Sequence, residues 1–248
     1  MKSKTLITLL MLIIILFNSC KKESLKTSEH CDIETYNYNS FPIGAESCFM
    51  NITSLDSTIK VNAPPRENRL KGLDIDNDGY HDFEIYSNHP YTLGGIRLLR
   101  SSIKVMDSTI FISTIEMTDT VYRCLNISNN IVTYYNNFST FSCDGDGIDS
   151  LYSTDNFSYP KIYSIGESLM NNETWKNDIF TLSFYDFSFK SFNIPRLSYD
   201  IIRGNWHNQN MKYILFKKVN SDKTIYGWLK VSVNNYKEIQ VHEYAIQK

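Results

Sequence analysis

The chain has 248 residues, 42% of them hydrophobic and 14% aromatic, and 25 Lys and Arg stand against 27 Asp and Glu for a formal charge of −2. That composition excludes a disordered tail, a collagen-like fibre and a basic nucleic-acid binder. A chain this long can bury roughly 70% of its unfolded surface, enough for one large domain or two small ones.

The first twenty residues read as an address. Lys2 and Lys4 precede Leu6 to Phe17, an apolar run broken only by Thr8. Twelve residues of helix rise about 18 Å, short of a roughly 30 Å hydrocarbon core, so a signal-peptide h-region is expected rather than a permanent span. Asn18-Ser19-Cys20 follows directly. This ending resembles a bacterial lipobox, in which a small residue precedes a Cys that is diacylated and becomes the mature N-terminus. The resemblance implies a lipoprotein signal peptide over residues 1–19, with Cys20 as the lipidation site. It places the protein on the outer membrane, held by its N-terminal lipid and facing the periplasm or the cell surface. An ordinary secretory signal with an incidental Cys is the alternative. Residues 20–34 hold the polar, aperiodic KKESLKTSE and are expected to be a flexible tether, with one β domain over 35–248.

Four further cysteines remain: Cys31, Cys48, Cys124 and Cys143. An even number in an exported chain suggests disulfides, and sequence proximity favours Cys31–Cys48 and Cys124–Cys143. Reduced, buried thiols are the alternative. No C-x-x-C pair exists, so a redox or zinc-knuckle site has no support.

Leu70–Leu73 and Phe83–Tyr86 carry strand-like patterns, and between them lies the one stretch with recognisable chemistry. Leu73 to Glu84 reads LDIDNDGYHDFE, placing Asp74, Asp76, Asp78 and Asp82 at relative positions 1, 3, 5 and 9 with Gly79 at 6. Four carboxylates so close repel one another unless a cation sits among them, and hard oxygen ligands beside a turn-permitting Gly suit Ca²⁺. Tyr80, at position 7, would contribute its backbone carbonyl. Ile85 stands where an EF-hand has its Glu, and the flanks are not helical. The pattern instead resembles the calcium loops that join two strands in integrin-type FG-GAP and thrombospondin-type repeats. A metal-free Asx-turn hairpin is the alternative.

Further along, Ser102–Val105, Thr109–Ser113, Phe180–Phe189, Lys212–Lys218, Ile225–Val233 and Ile239–His242 are short β-branched or aromatic runs separated by Asn, Asp and Ser. These are expected strands, with Phe180, Leu182 and Phe184 sharing one face. Asn136–Tyr159, rich in Asn, Ser, Asp and Gly, is expected to be a long mobile loop near 136–159. Its Cys143–Asp149 stretch only superficially repeats the acidic spacing. Ile165–Trp175 could form one or two helical turns at most. The fold class expected is all-β, a mostly antiparallel sandwich or jelly roll.

No H-E-x-x-H, G-x-S-x-G, P-loop or G-x-G-x-x-G occurs, and Asp200 and Glu243 could be catalytic carboxylates only as any two of the 27 acids could. Trp206, flanked by Asn205, His207 and Asn208, reads as an exposed ring that could stack on a sugar, with His207 beside it; Trp228 alternates with apolar residues and reads as core. The acidic loop, Gly204-Asn205-Trp206, Lys212–Phe216, Tyr226–Val233 and Glu243-Tyr244-Ala245 together resemble a group of uncharacterised β-rich lipoproteins and secreted proteins of Bacteroidota. That resemblance, over roughly residues 65 to 248, implies a fold and a compartment but no activity. The expectation is a calcium-stabilised lipoprotein with a glycan or envelope-protein partner, serving binding, adhesion or envelope structure. A carbohydrate-binding accessory protein and a glycan-directed hydrolase are the alternatives.

Overall fold

Strands dominate the computed structural model, which describes residues 41, 43–44, 48–64, 67–89, 97–126, 131–138, 143, 147–170, 172–190 and 196–248. The chain divides between Asp32 and Ile33 into two compact units, and every described residue belongs to the second. Cys20, Cys31 and the expected signal peptide over residues 1–19 lie outside the described residues.

Thirteen strands follow one another among the described residues: β1 (Met50–Asn62), β2 (Glu67–Leu73), β3 (Phe83–His89), β4 (Arg97–Val105), β5 (Ile110–Asn126), β6 (Ile131–Asn136), β7 (Gly147–Pro160), β8 (Thr174–Lys176), β9 (Ile179–Lys190), β10 (Arg196–Arg203), β11 (Lys212–Val219), β12 (Thr224–Asn234) and β13 (Glu238–Gln247). They pair in the order β1-β13-β12-β11-β5-β6-β10-β9-β4-β3-β2, with β7 and β8 also laid along β5. Every pairing is antiparallel except β6 with β10. The ends of this order, β1 and β2, return to contact each other, so the sheet folds over into a sandwich-like all-β fold.

The main core lies between the two layers this folding creates. Leu73, Phe83, Ile85, Ile103, Val105, Phe180 and Leu182 come from one side, and Ile112, Ile214, Phe216, Leu229, Val231, Val233, Ile239 and Val241 from the other. A second cluster covers the opposite face of β11–β13, where Tyr213, Leu215, Trp228 and Ala245 pack with Phe41, Ile43 and Tyr163. Strands buried on both faces need apolar residues at consecutive positions, which accounts for the unbroken run Tyr213-Ile214-Leu215-Phe216.

Three sequence expectations change. Residues 147–160, all but the last inside the stretch 136–159 expected to be a mobile loop, form β7 and pair with β5 from Thr114↔Pro160 to Asn126↔Gly147. Ile165–Trp175 holds no helix among its described residues; it turns at 165–166 and enters β8. Phe184 does not share the face of Phe180 and Leu182, because the register shift at Ser101/Ser102 inserts an extra residue on β9 and pairs Phe184 with Arg100. Of the disulfide pairs, Cys124–Cys143 forms across a Cα–Cα distance of 5.9 Å. Cys48 is also disulfide-bonded, and its expected partner Cys31 lies outside the described residues.

Candidate metal centre

The acidic loop joins β2 to β3, whose last pairing is Leu73↔Phe83 and whose neck is closed by the Asp82 N–H donating to the Leu73 carbonyl at 2.9 Å. Residues 74–82 must therefore reverse the chain within nine positions. Asn77 (φ 62°) and Gly79 (φ 91°) take the left-handed conformations this requires, and a Cβ on Gly79 would meet nothing but that backbone penalty. Ile75, 2% exposed, roots the loop in the main core.

Within the loop the carboxylates are held by backbone amides. Asp74 accepts from the Asn77 N–H at 2.7 Å and the Gly79 N–H at 2.9 Å. Asp76 accepts from Asp78 N–H at 3.3 Å, and Asp78 from Tyr80 N–H at 2.8 Å. Asp74, Asp76 and Asp78 each bring one carboxylate oxygen into a group lying within 4.8 Å of one another. Desolvation works to raise the Asp74 pKa, yet donation from the amides of Gly79, Asn77, Asp78 and Asp76 outweighs it and holds that carboxyl below its usual range.

Asp82 is not part of that group. It is 3% exposed, and its Oδ2 accepts from the Ile75 N–H at 2.8 Å. Its other oxygen lies 3.5 Å from the ammonium of Lys218 on β11. Burial pushes the Asp82 carboxyl up despite those partners. Tyr80, 78% exposed, points its ring at solvent.

Lys218 is the residue the sequence did not offer. Its ammonium sits 2.6 Å from Asp76, 2.8 Å from Asp107 and 3.5 Å from Asp82, with its side chain 12% exposed. Burial acts to lower the Lys218 pKa, but Asp107 and Asp76 outweigh it and the ammonium is held charged. Asp107, in the β4–β5 turn, also accepts from the Thr109 N–H and hydroxyl, each at 2.8 Å. The only signal for Lys218 in the sequence was a charged residue ending an apolar strand, 142 positions from Asp76.

The donor set suits a hard divalent cation. Oxygens on opposite sides of Ca²⁺ stand about 4.6–5.2 Å apart, against about 4.0–4.2 Å for Mg²⁺. The oxygens of Asp74, Asp76 and Asp78 lie within 4.8 Å of one another, close enough to share one ion of either size. Among the described residues one ammonium stands in ion pairs against the five carboxylates of Asp74, Asp76, Asp78, Asp82 and Asp107.

The other named residues fall elsewhere. Trp206 is not an exposed ring: it is fully buried in the main core, its indole N–H donating to the Pro160 carbonyl at 2.8 Å, and it offers no face to a sugar. His207 stacks on Tyr236 with ring centroids 5.8 Å apart. Trp228 is core, as its alternation indicated. Glu243 pairs with Lys230 at 3.0 Å. A Ser–His contact that no motif signalled, Ser232 Oγ to His242 Nε2 at 2.8 Å, belongs to strand packing: Ser232 is 2% exposed, bonds Asn210 at 2.8 Å and accepts the Met211 N–H. No family model, no curated protein and no solved structure matches this chain.

Proposed function

We propose that the protein is a membrane-anchored extracytoplasmic lipoprotein whose β domain is stabilised by calcium, and that it serves binding, adhesion or envelope structure. The observation that carries this reading is the convergence of Asp74, Asp76 and Asp78 at the tip of the β2–β3 hairpin, each carboxylate already oriented by a backbone amide. A bound calcium would supply the positive charge that the surplus of carboxylates lacks. Asp74, Asp76 and Asp78 would hold it, while Asp82 and Lys218 fasten the loop to β11. Such a site can be weak and still occupied where calcium is millimolar.

The anchor rests on Ser19-Cys20 at the end of a short apolar run. Expressed in its host, the wild-type protein is expected to incorporate a palmitate analogue and to fractionate with membranes. Cys20→Ala is expected to lose both. Unchanged labelling and fractionation of that variant would remove the lipoprotein reading and leave the loop untouched.

A further inference from the structure

On the face of β4 and β9 turned away from the main core, Arg100, Phe184 and Arg203 stand in a row, since Arg100 pairs with Phe184 and Phe184 with Arg203. Phe157 and Tyr159 of β7 close over this row. Together with Thr181 they line a half-open hollow of about 230 Å³. That is below the roughly 300–1,000 Å³ of drug-sized sites and suits a ligand of one ring. A second hollow of about 220 Å³ adjoins it through Arg100 and runs toward Glu84 and Lys104.

The two arginines differ in what they already hold. Arg203 is neutralised from below, with its Nε 3.3 Å from buried Asp119 and its Nη2 4.0 Å from Asp155, and it lies 4.7 Å above the Phe157 ring. Asp119 is itself fixed by two hydrogen bonds from the Asn136 amide. Arg100 has no carboxylate partner among the described residues. It donates through Nη2 to the Thr181 hydroxyl at 3.1 Å, and its buried Nε has no acceptor. Tyr159, 2% exposed, has the Gly204 backbone amide beside its hydroxyl oxygen, while the hydroxyl proton finds no acceptor. Desolvation pushes this hydroxyl up to about 12, so it remains a proton donor at neutral pH. Three buried donors of residues lining one hollow, the Arg100 Nε, the Arg203 Nε and the Tyr159 hydroxyl, donate no hydrogen bond, although the Arg203 Nε has its ion pair with Asp119; this is uncommon, because buried polar groups in folded proteins are nearly always paired.

We infer that this hollow binds a small organic carboxylate with a ring-shaped body, its oxygens on Arg100 and Tyr159 and its ring against Phe157 and Phe184. A guanidinium fork matches a carboxylate in geometry. A monoanion matches the single uncompensated cation, whereas a dianion would face the field of Asp155 and Asp119 beside Arg203. The aromatic walls give an apolar ring or the face of a sugar acid a surface to cover.

The test titrates the full chain with benzoate and with glucuronate, followed by calorimetry, with benzyl alcohol and glucose as neutral counterparts and inorganic phosphate as the dianion. Saturable binding of at least one carboxylate at one per chain is expected, with its neutral counterpart and phosphate at least about tenfold weaker. Preference for benzoate or for glucuronate distinguishes an aromatic from a sugar acid. Arg100→Gln is expected to weaken binding at least about tenfold. Tyr159→Phe is expected to weaken it about three- to tenfold while leaving the melting temperature unchanged or raised, since it removes a buried hydroxyl whose proton finds no acceptor. Should Arg100→Gln fail to fold, Tyr159→Phe and the neutral ligands still decide the matter. Absence of saturable carboxylate binding, equal binding of the neutral counterparts, tighter binding of phosphate, or a Tyr159→Phe protein that binds normally and melts lower would overturn the inference.

Discussion

Replacing Lys218 by Met keeps the aliphatic stem and removes the ammonium that three carboxylates share. Breaking a buried pair by deleting one partner costs about 3–5 kcal/mol. The cost here falls toward the lower end, because the side chains of Asp76 and Asp107 are 28% and 25% exposed and can turn to water. Asp82, at 4%, cannot; its carboxyl is already pushed up by burial and relaxes by taking a proton. A loss of about 2–3 kcal/mol is therefore expected, which in a domain of roughly 200 residues lowers the melting temperature by about 4–12 °C. The same substitution removes a positive charge from beside the candidate calcium ligands. At a separation of about 6 Å even water's dielectric makes that repulsion about 1.4 kcal/mol for a divalent ion, so calcium affinity is expected to rise about tenfold. Thermal unfolding of wild type and Lys218→Met, each in excess calcium and in chelator, measures both effects. The variant is expected to melt lower in chelator and to gain more from calcium than wild type does. A variant as stable as wild type in chelator would refute the ion-pair reasoning. A smaller calcium increment in the variant would show that Lys218 does not act on the loop's field.

Asp107→Asn tests the other side of the same cage. Burial works to raise this carboxyl, but the Lys218 ammonium and the Thr109 N–H and hydroxyl prevail and hold it below the ordinary value of 3.8. Its stabilisation is thus complete above about pH 4 and is lost as pH falls through the depressed value. Urea unfolding is expected to find the variant about 1–2 kcal/mol weaker near pH 6, with the difference shrinking as pH falls through the depressed value and the wild-type carboxyl becomes neutral too; a constant difference would contradict the assignment. Opening Cys124–Cys143 with paired Ser substitutions frees a loop whose ends are 19 residues apart. A loss of about 3 kcal/mol is expected in denaturant titrations, and no loss would mean that the β5–β7 ladder alone closes this segment.

The strands that were legible in the sequence are those whose alternation or apolar run faces a core, such as Phe83–His89, Lys212–Val219 and Thr224–Asn234. Strand β7 was not, because its residues pair with β5 while leaving large groups such as Leu151 and Tyr152 exposed, at 66% and 62%. Its order comes from a backbone ladder that no apolar period reveals. Trp206 misled for a related reason. Its polar neighbours belong to a turn, and Gly204, at φ +87° with its Cα against the Leu182 carbonyl, lets the chain dive so that only the indole is interior. The acidic loop was legible because its carboxylates are local in sequence, while Lys218 and Asp107 reach it through tertiary structure alone. The bulge that sends Phe184 to the outer face lies in a register with β4, a property of two strands rather than one.

Whether the loop holds calcium is decided most directly by one comparison, wild type against Asp78→Asn, each melted in calcium and in chelator. Asp78 suits the purpose better than Asp76, which also pairs with Lys218, because its structural task is to accept the Tyr80 N–H and an Asn oxygen can still do so. At calcium one hundred times its Kd, binding adds about 2.7 kcal/mol to wild-type stability by mass action, or about 5–11 °C in melting temperature. The expected result is that increment in wild type, a smaller one with magnesium, little or none in Asp78→Asn, and equal melting of the two proteins in chelator. Identical melting of wild type in calcium and in chelator would contradict the account, leaving residues 74–82 an acidic turn held by its own amides.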